Sequence, residues 1–578
     1  MLSQKSTYLF AICCLVSAVS FSQQDTVSTA KEKVFYHARI FTANINQPYA
    51  EAVAIRDDKI IAVGNYTDVK KTVSANALQI DLDGKFLLPG FIDSHEHSIS
   101  GGNDLTHANT FDSVLLGDSL MRFVDDAVQS GKGIVNGFIV IEGINISTWS
   151  HLDQLDALFN KGKYANMPVL LHGSDGHTGW ANKMILAKAG LNKNFIQSLS
   201  DEKKKYFGYD PSFTPNGFFA DSGFEKINPV LPAVKVNWLL AGEKGVEYNN
   251  ALGITAWLDP AAGNISSKMD NDILSAYQSL ADKNELNAHI RAVVVADANA
   301  DPLPQIKTLN SLQQKYNSTK DLSVIGFKIF ADGVVEHPTQ TAALSKPYLN
   351  KPSSGVLMYE PKKFAAFVIA ADKANLLVHT HAIGDLAVTE TLNGIEAARK
   401  TNGNSIIPHS ITHIQFAQPS DFDRFKTLNV PASMQLLWAY GDVTTIDIIK
   451  PYIDPSIYKW QYPARSLMQA GAMICGASDW PVSSANPFEA IYNAETRSGP
   501  LGVLDSAQCI PRIDMLYAYT INSAKLLMME RSIGSIEPGK YADLILTDRD
   551  VLTVSLEKMR DTKILWTMFE GKIVYKQK

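Results

Sequence analysis

Leu88-Pro89-Gly90-Phe91-Ile92-Asp93-Ser94-His95-Glu96-His97 is the stretch on which the reading of this chain turns. It reads as a buried strand, Phe86-Leu88 running on into Phe91-His95, that ends in two histidines. Side chains two apart on a strand share a face, so His95 and His97 can aim at one centre. Spacing alone is weak evidence: with 13 His in 578 residues, one such pair arises by chance with a probability on the order of 0.3.

Downstream, apolar runs alternate with helical stretches. The runs are Ile254-Leu258, Ile290-Val295, Ile325-Phe330, Leu376-His381, Ile411-Gln415, Ala432-Gln435 and Ala472-Ala477. With the first strand they make eight, the pattern of an α/β fold closed as a (β/α)8 TIM-type barrel over 86–529. The segment 99–252 is too long for a βα connection and carries its own apolar runs, Phe138-Ile141 and Val169-His172, so a folded insertion after barrel strand 1 is expected to shape the pocket. Short β-like runs recur at both ends, over 33–85 and 530–578. Because chain ends often lie close together, they are expected to form one composite β-sandwich domain.

The carboxyl ends of barrel strands are where catalytic residues sit. His381, His413 and Asp479 all fall at such ends, and Lys328 lies inside Ile325-Phe330. A barrel strand buries both faces, and an unpaired ammonium there costs several kcal/mol. Either Lys328 finds a partner or its chemistry changes; carboxylation by CO2 would make it an anionic carbamate. The alternative is a lysine on the helix-facing side that reaches solvent.

Several motifs together resemble the amidohydrolase superfamily, and within it the branch similar to N-substituted formamide deformylases. They are Pro89-Gly90-Phe91-Ile92-Asp93-Ser94-His95-Glu96-His97, Asp175-Gly176-His177, Lys328-Ile329-Phe330-Ala331-Asp332-Gly333, His381-Ala382-Ile383-Gly384-Asp385, Ser478-Asp479-Trp480-Pro481 and Gly534 to Asp543. The resemblance implies that His95, His97 and Asp479 hold one divalent metal and His381 and His413 a second, with carboxylated Lys328 bridging them. Zinc suits such ligands best, with manganese or iron as alternatives. It implies hydrolysis of a non-peptide, amide-type C–N bond in a small-molecule substrate, by a metal-activated hydroxide with Asp479 as general base and then acid. His177, Asp175, Trp438 and Asp332 are assigned to the substrate pocket.

Two departures stand out. Thr412-His413 replaces the branch's Glu-His, and Gln435-Leu436-Leu437-Trp438 replaces Gln-Pro-x-His, which points to a substrate with more apolar bulk. A lactonase or esterase using the same dinuclear site, and a non-catalytic binding protein, are the rival readings.

Composition narrows the partners. Lys+Arg number 53 against Asp+Glu 59, a net charge of -6, which offers no basic surface for nucleic acid. Lys5, the apolar run Tyr8-Val19 and Ser20-Phe21-Ser22 read as a signal peptide over 1–22, cleaved near Ser22-Gln23, so a periplasmic or secreted protein is expected. The run is shorter than the ~20 residues a bilayer requires, so no membrane span should remain after cleavage. A homo-oligomer is compatible with all of this. Cys475 and Cys509 alone remain in the mature chain, too few for a disulfide framework.

Overall fold

The computed structural model describes residues 32–174, 176, 178–231, 236–265, 271–337, 339–403 and 406–578. The signal peptide read over 1–22 lies outside the described residues, as do Asp175 and His177.

Eight parallel strands form the central sheet, in chain order β1 Phe91–Asp93, β2 Ile254–Asp259, β3 His289–Val295, β4 Leu322–Phe330, β5 Leu377–Ala382, β6 Ser410–His413, β7 Ala432–Met434 and β8 Ile474–Gly476. Each pairs with the next in sequence. The ends meet: Ser94 N donates to Gly476 O at 2.9 Å and Asp479 N to His95 O at 2.8 Å. Helices such as Asp272–Asp282, Pro302–Tyr316, Pro361–Lys373 and Asp385–Asn402 connect the strands. The strands are continuous apolar runs because parallel strands are buried on both faces; β2 is buried at every position.

Phe86–Pro89 does not continue into the barrel. It pairs antiparallel with Leu544–Thr547 in a six-stranded sheet that also holds Ile564–Phe569, Lys572–Lys576, Arg39–Phe41 and Tyr49–Ala50. Gly90 marks the switch between sheets. A Cβ there would lie 2.1 Å from Thr255 Oγ1, so only glycine lets the chain pass β2 so closely. A four-stranded sheet of Glu32–Tyr36, Ala52–Arg56, Lys59–Gly64 and Leu78–Asp81 lies alongside. Phe35, Val53 and Ile55 from it pack with Ile40, Leu87 and Leu544 of the six-stranded sheet, so strands from both ends of the chain share one core.

Between β1 and β2 the chain builds another six-stranded sheet: Ile134–Val135, Phe138–Ile144, Val169–Gly173, Thr178–Ala181, Pro215–Ala220 and Phe207–Tyr209. Ile139, Leu171 and Phe159 anchor a core on one side of it, and Leu170, Ile185 and Phe219 one on the other. Both cysteines are free, and Cys475 is buried in β8. Among the described residues no helix is long and apolar enough to cross a membrane.

Two helices seat the first metal-type residues. Helix α1, Ser98–Thr106, begins directly after His97, and α2, Trp238–Ala251, packs across it. Backbone meets backbone at this crossing: a Cβ on Gly102 would lie 1.9 Å from the Ala241 carbonyl oxygen, and one on Gly245 would lie 2.5 Å from Ser98 O. Neither neighbour can rotate away. Gly102→Ala is therefore expected to destabilise the protein by about 1–3 kcal/mol, the usual cost of overpacking, and to lower activity because α1 carries His97. Denaturant unfolding and a rate assay on the same preparation check this; unchanged stability would contradict the close crossing.

Candidate metal centre

The register of the barrel brings the chemistry to one end. Lys328 pairs across the sheet with His379, and Phe330 with His381; one strand on, His381 pairs with Thr412 and Ala382 with His413. His95 and His97 follow β1, and Asp479 follows β8. All of these lie at or toward the carboxyl ends of their strands, as the sequence leads one to expect.

His95 Nε2 and His97 Nε2 each lie 3.3 Å from Asp479 Oδ1, and the ligating atoms of the three residues fall within 4.8 Å of one another. The His413 ring lies 5.2 Å from that of His95 and 4.5 Å from that of His381, and its Nδ1 is 4.0 Å from Asp479 Oδ2. Burial, with the neighbouring Lys328 charge, pushes the His95 imidazole well below its ordinary range and takes His381 down to about 4. Burial and the adjacent His381 do the same for His413. These rings are neutral at pH 7, the form in which imidazole binds metal. Burial alone would raise the Asp479 pKa, but a hydrogen bond to His97 and the nearby His413, His97 and Lys328 side chains hold the carboxyl below its ordinary range.

Lys328 is 1% exposed. Its amine faces the Phe330 ring at 5.2 Å, and among the described residues it makes no ion pair. Burial lowers its pKa to about 7, with Asp479 acting in the opposite direction. Buried neutral imidazoles with a carboxylate are the donors that a divalent cation takes.

Surrounding groups fix the rings. His95 Nδ1 lies 2.6 Å from His379 Nε2, and His379 Nδ1 lies 2.7 Å from Ser410 Oγ. In the tautomer that presents His95 Nε2 as a ligand, His95 donates to His379, and His379 donates to Ser410. His379 thus has the hydrogen-bonded core role that its depth on the strand indicates. Gln435 Oε1 lies 3.0 Å from His413 Nδ1, which leaves Nε2 as the nitrogen that could ligate. Asp93 Oδ1 accepts from the backbone amides of His95 and Ser478, tying β1 to β8; burial lifts its pKa to about 7. Asp479, His413 and Ile414 all have positive φ, at 56°, 76° and 47°, strain that the surrounding bonds maintain.

The pocket residues divide. The Trp438 ring stacks on that of His413 at 5.8 Å and 10°. Asp332 does not line the pocket: it is fully buried, and its carboxylate accepts from the backbone amides of Ala343, Ile383 and Gly384. A carboxylate engaged with three amides positions the loop rather than binding substrate, and its Oδ1 lies 3.6 Å from His381 Nε2. Asp175 and His177 lie outside the described residues. Gln435 and Asp93 were not singled out as site residues by the sequence, although both stand within quoted motifs. A cavity of about 650 Å³ opens between the insertion and the loop after β8. Asp104, Asp112, Glu142, Tyr248 and Trp480 border it, and the Tyr248 and Trp480 rings stack at 4.5 Å.

The model of the amidohydrolase family matches residues 79–575. The chain belongs to that family. It is 27% identical over 93% of its length to Protein LONG AFTER FAR-RED 3 of Arabidopsis thaliana, covering 90% of that protein. Over 95% of its length it is 23% identical to the N-substituted formamide deformylase of Arthrobacter pascens, covering 99% of it. A solved structure of an uncharacterized metal-dependent hydrolase from Pyrococcus horikoshii shares the fold, with a TM-score of 0.68 and 23% identity over 91% of this chain and 99% of that one.

Removing an outer partner of a ligating histidine typically costs 10–100-fold in metal affinity. His379→Phe keeps the volume but not the hydrogen bond to His95, and is expected to weaken metal binding by that factor while the circular dichroism spectrum stays unchanged. Chelator competition measures it; wild-type affinity would show that His95 is not held through His379.

Proposed function

We propose that this member of the amidohydrolase family is a metal-dependent hydrolase cleaving an amide-type, non-peptide C–N bond in a small molecule. The convergence of His95, His97 and Asp479 beside two neutral imidazoles supports this reading most strongly. The deformylase activity named for the Arthrobacter relative is in keeping with a C–N bond.

In this reading His95, His97 and Asp479 hold one cation and His381 and His413 a second, zinc being favoured and manganese or iron suiting the same donors. Cations bound there supply an acidified water and polarise the substrate carbonyl. Lys328 would be carboxylated: its ammonium first gives a proton to solvent, the free amine nitrogen then attacks CO2 as a C–O π bond opens and a C–N bond forms, and a second proton leaves. The buried side chain would thereby become an anion, suited to bound cations.

Asp479 takes the proton of the attacking water on its carboxylate and passes it to the leaving nitrogen. His379 and Gln435 hold the His95 and His413 rings. Trp438 presents an aromatic face over His413, suited to an apolar substrate group, while Tyr248 and Trp480 wall the cavity. The segment 1–22 is taken to direct export to the periplasm or beyond.

Adding zinc to the metal-free protein and following N-formyl amines, N-acyl amines and lactones in parallel tests the proposal. Cleavage of an amide is expected, with Asp479→Asn lowering kcat by about 10²–10⁴, the usual contribution of general acid–base catalysis. Hydrolysis of lactones without any amide would overturn the bond assignment; metal bound in full with no hydrolysis of either would overturn catalysis itself.

A further inference from the structure

The opposite end of the barrel holds a second group of metal-type side chains. His289 opens β3, Asp321 directly precedes β4, and Glu570 follows Ile564–Phe569 in the six-stranded sheet of the small domain. Their ligating atoms lie within 4.8 Å of one another. His289 Nδ1 is 2.8 Å from Asp321 Oδ1, and its Nε2 is 3.0 Å from Asp543 Oδ2. The rings of Tyr541 and Phe569 close over the imidazole at 5.1 and 4.7 Å. Asp543 in turn accepts from the Glu570 backbone amide at 2.8 Å.

Three observations go beyond a network of ion pairs. The Glu570 side chain is 7% exposed, and its Oε1 has no hydrogen-bond partner although Oε2 pairs with Lys320. A buried carboxylate oxygen left unpaired is costly. A cavity of about 50 Å³, bordered by Asp321, Glu570 and Lys320, adjoins it, larger than the ~30 Å³ that one water occupies in the liquid. Lys320 pairs with Glu570 and stands 3.7 Å from Asp321, yet its side chain is 67% exposed, so it can swing out to solvent.

We propose that this cluster is a separate structural metal site, taking a divalent transition cation such as Zn²⁺ through His289 Nδ1, Asp321 and Glu570. Lys320 is a tethered ammonium that stands in the place of the ion. One imidazole nitrogen with two carboxylates is a donor set that zinc accepts, and water in the cavity completes the shell. Asp543 is the outer partner, receiving the Nε2–H of His289 as carboxylates do behind ligating histidines. The exchange is balanced: the Nδ1 proton leaves to solvent, the Lys320 ammonium withdraws, and one divalent ion replaces two single charges. His289 and Asp321 come from the barrel and Glu570 from the small domain, so the ion ties the two together and stabilises the folded state by mass action.

Equilibrium dialysis of the holoenzyme against Zn²⁺ tests this, comparing wild type, Lys320→Met and the double variants Lys320→Met/Glu570→Gln and Lys320→Met/Asp321→Asn. Removing the tethered ammonium is expected to tighten one zinc equivalent at least tenfold. Either nearly isosteric carboxamide should abolish that equivalent, with hydrolytic activity unchanged because the site lies at the far end of the barrel. Equal zinc content and affinity in wild type and Lys320→Met, or retention of the extra equivalent in both double variants, would overturn the proposal. The result is independent of which bond the enzyme cleaves.

Discussion

Closure of the barrel between its first and last strands is the constraint on which the rest depends. Ser94 N to Gly476 O, Asp479 N to His95 O and His97 N to Trp480 O stitch the segment after β1 to the segment after β8, and Asp93 reinforces the seam by accepting from the amides of His95 and Ser478. Residues nearly 400 positions apart in sequence thereby face each other at the distances a metal needs. The strained backbone at Asp479 is held by this seam, since its amide is one of the three donors.

Burial then determines what the converged residues can be. A low-dielectric lumen disfavours charge, so His381 is driven to about 4 and Lys328 to about 7. Asp479 is kept below its ordinary range by the hydrogen bond to His97 and by the nearby His413, His97 and Lys328 side chains. Such an arrangement is costly as a mere packing solution, and bound cations would offset that cost. The outer partners His379, Ser410 and Gln435 prepare for that entry by fixing which nitrogen each ring presents.

The barrel was legible because parallel strands buried on both faces leave uninterrupted apolar runs; the eight strands lie within a few residues of their expected places. The histidines and Asp479 were legible because they end such runs. Phe86–Pro89 was not, because a strand crossing from one sheet to another shows no break in hydrophobicity: Gly90 alone marks the passage, and only the contact with Thr255 explains it. Asp332 misled for a related reason. A carboxylate near a site motif looks the same in sequence whether it meets a ligand or three backbone amides. The hydrogen bond from His413 to Gln435 joins residues on different strands, so no local spacing could reveal it. His289 stands in none of the quoted motifs; its burial between carboxylates of two domains depends on contacts 254 residues apart in the chain.

The central claim is that His95, His97, Asp479, His381, His413 and Lys328 surround metal. Anomalous diffraction at the absorption edge of the metal carried by the purified protein addresses it most directly. The account predicts strong peaks at the carboxyl end of the barrel, one among His95, His97 and Asp479 and one beside His381 and His413, with electron density extending past the Lys328 amine. A lumen without anomalous signal in metal-loaded crystals would contradict it.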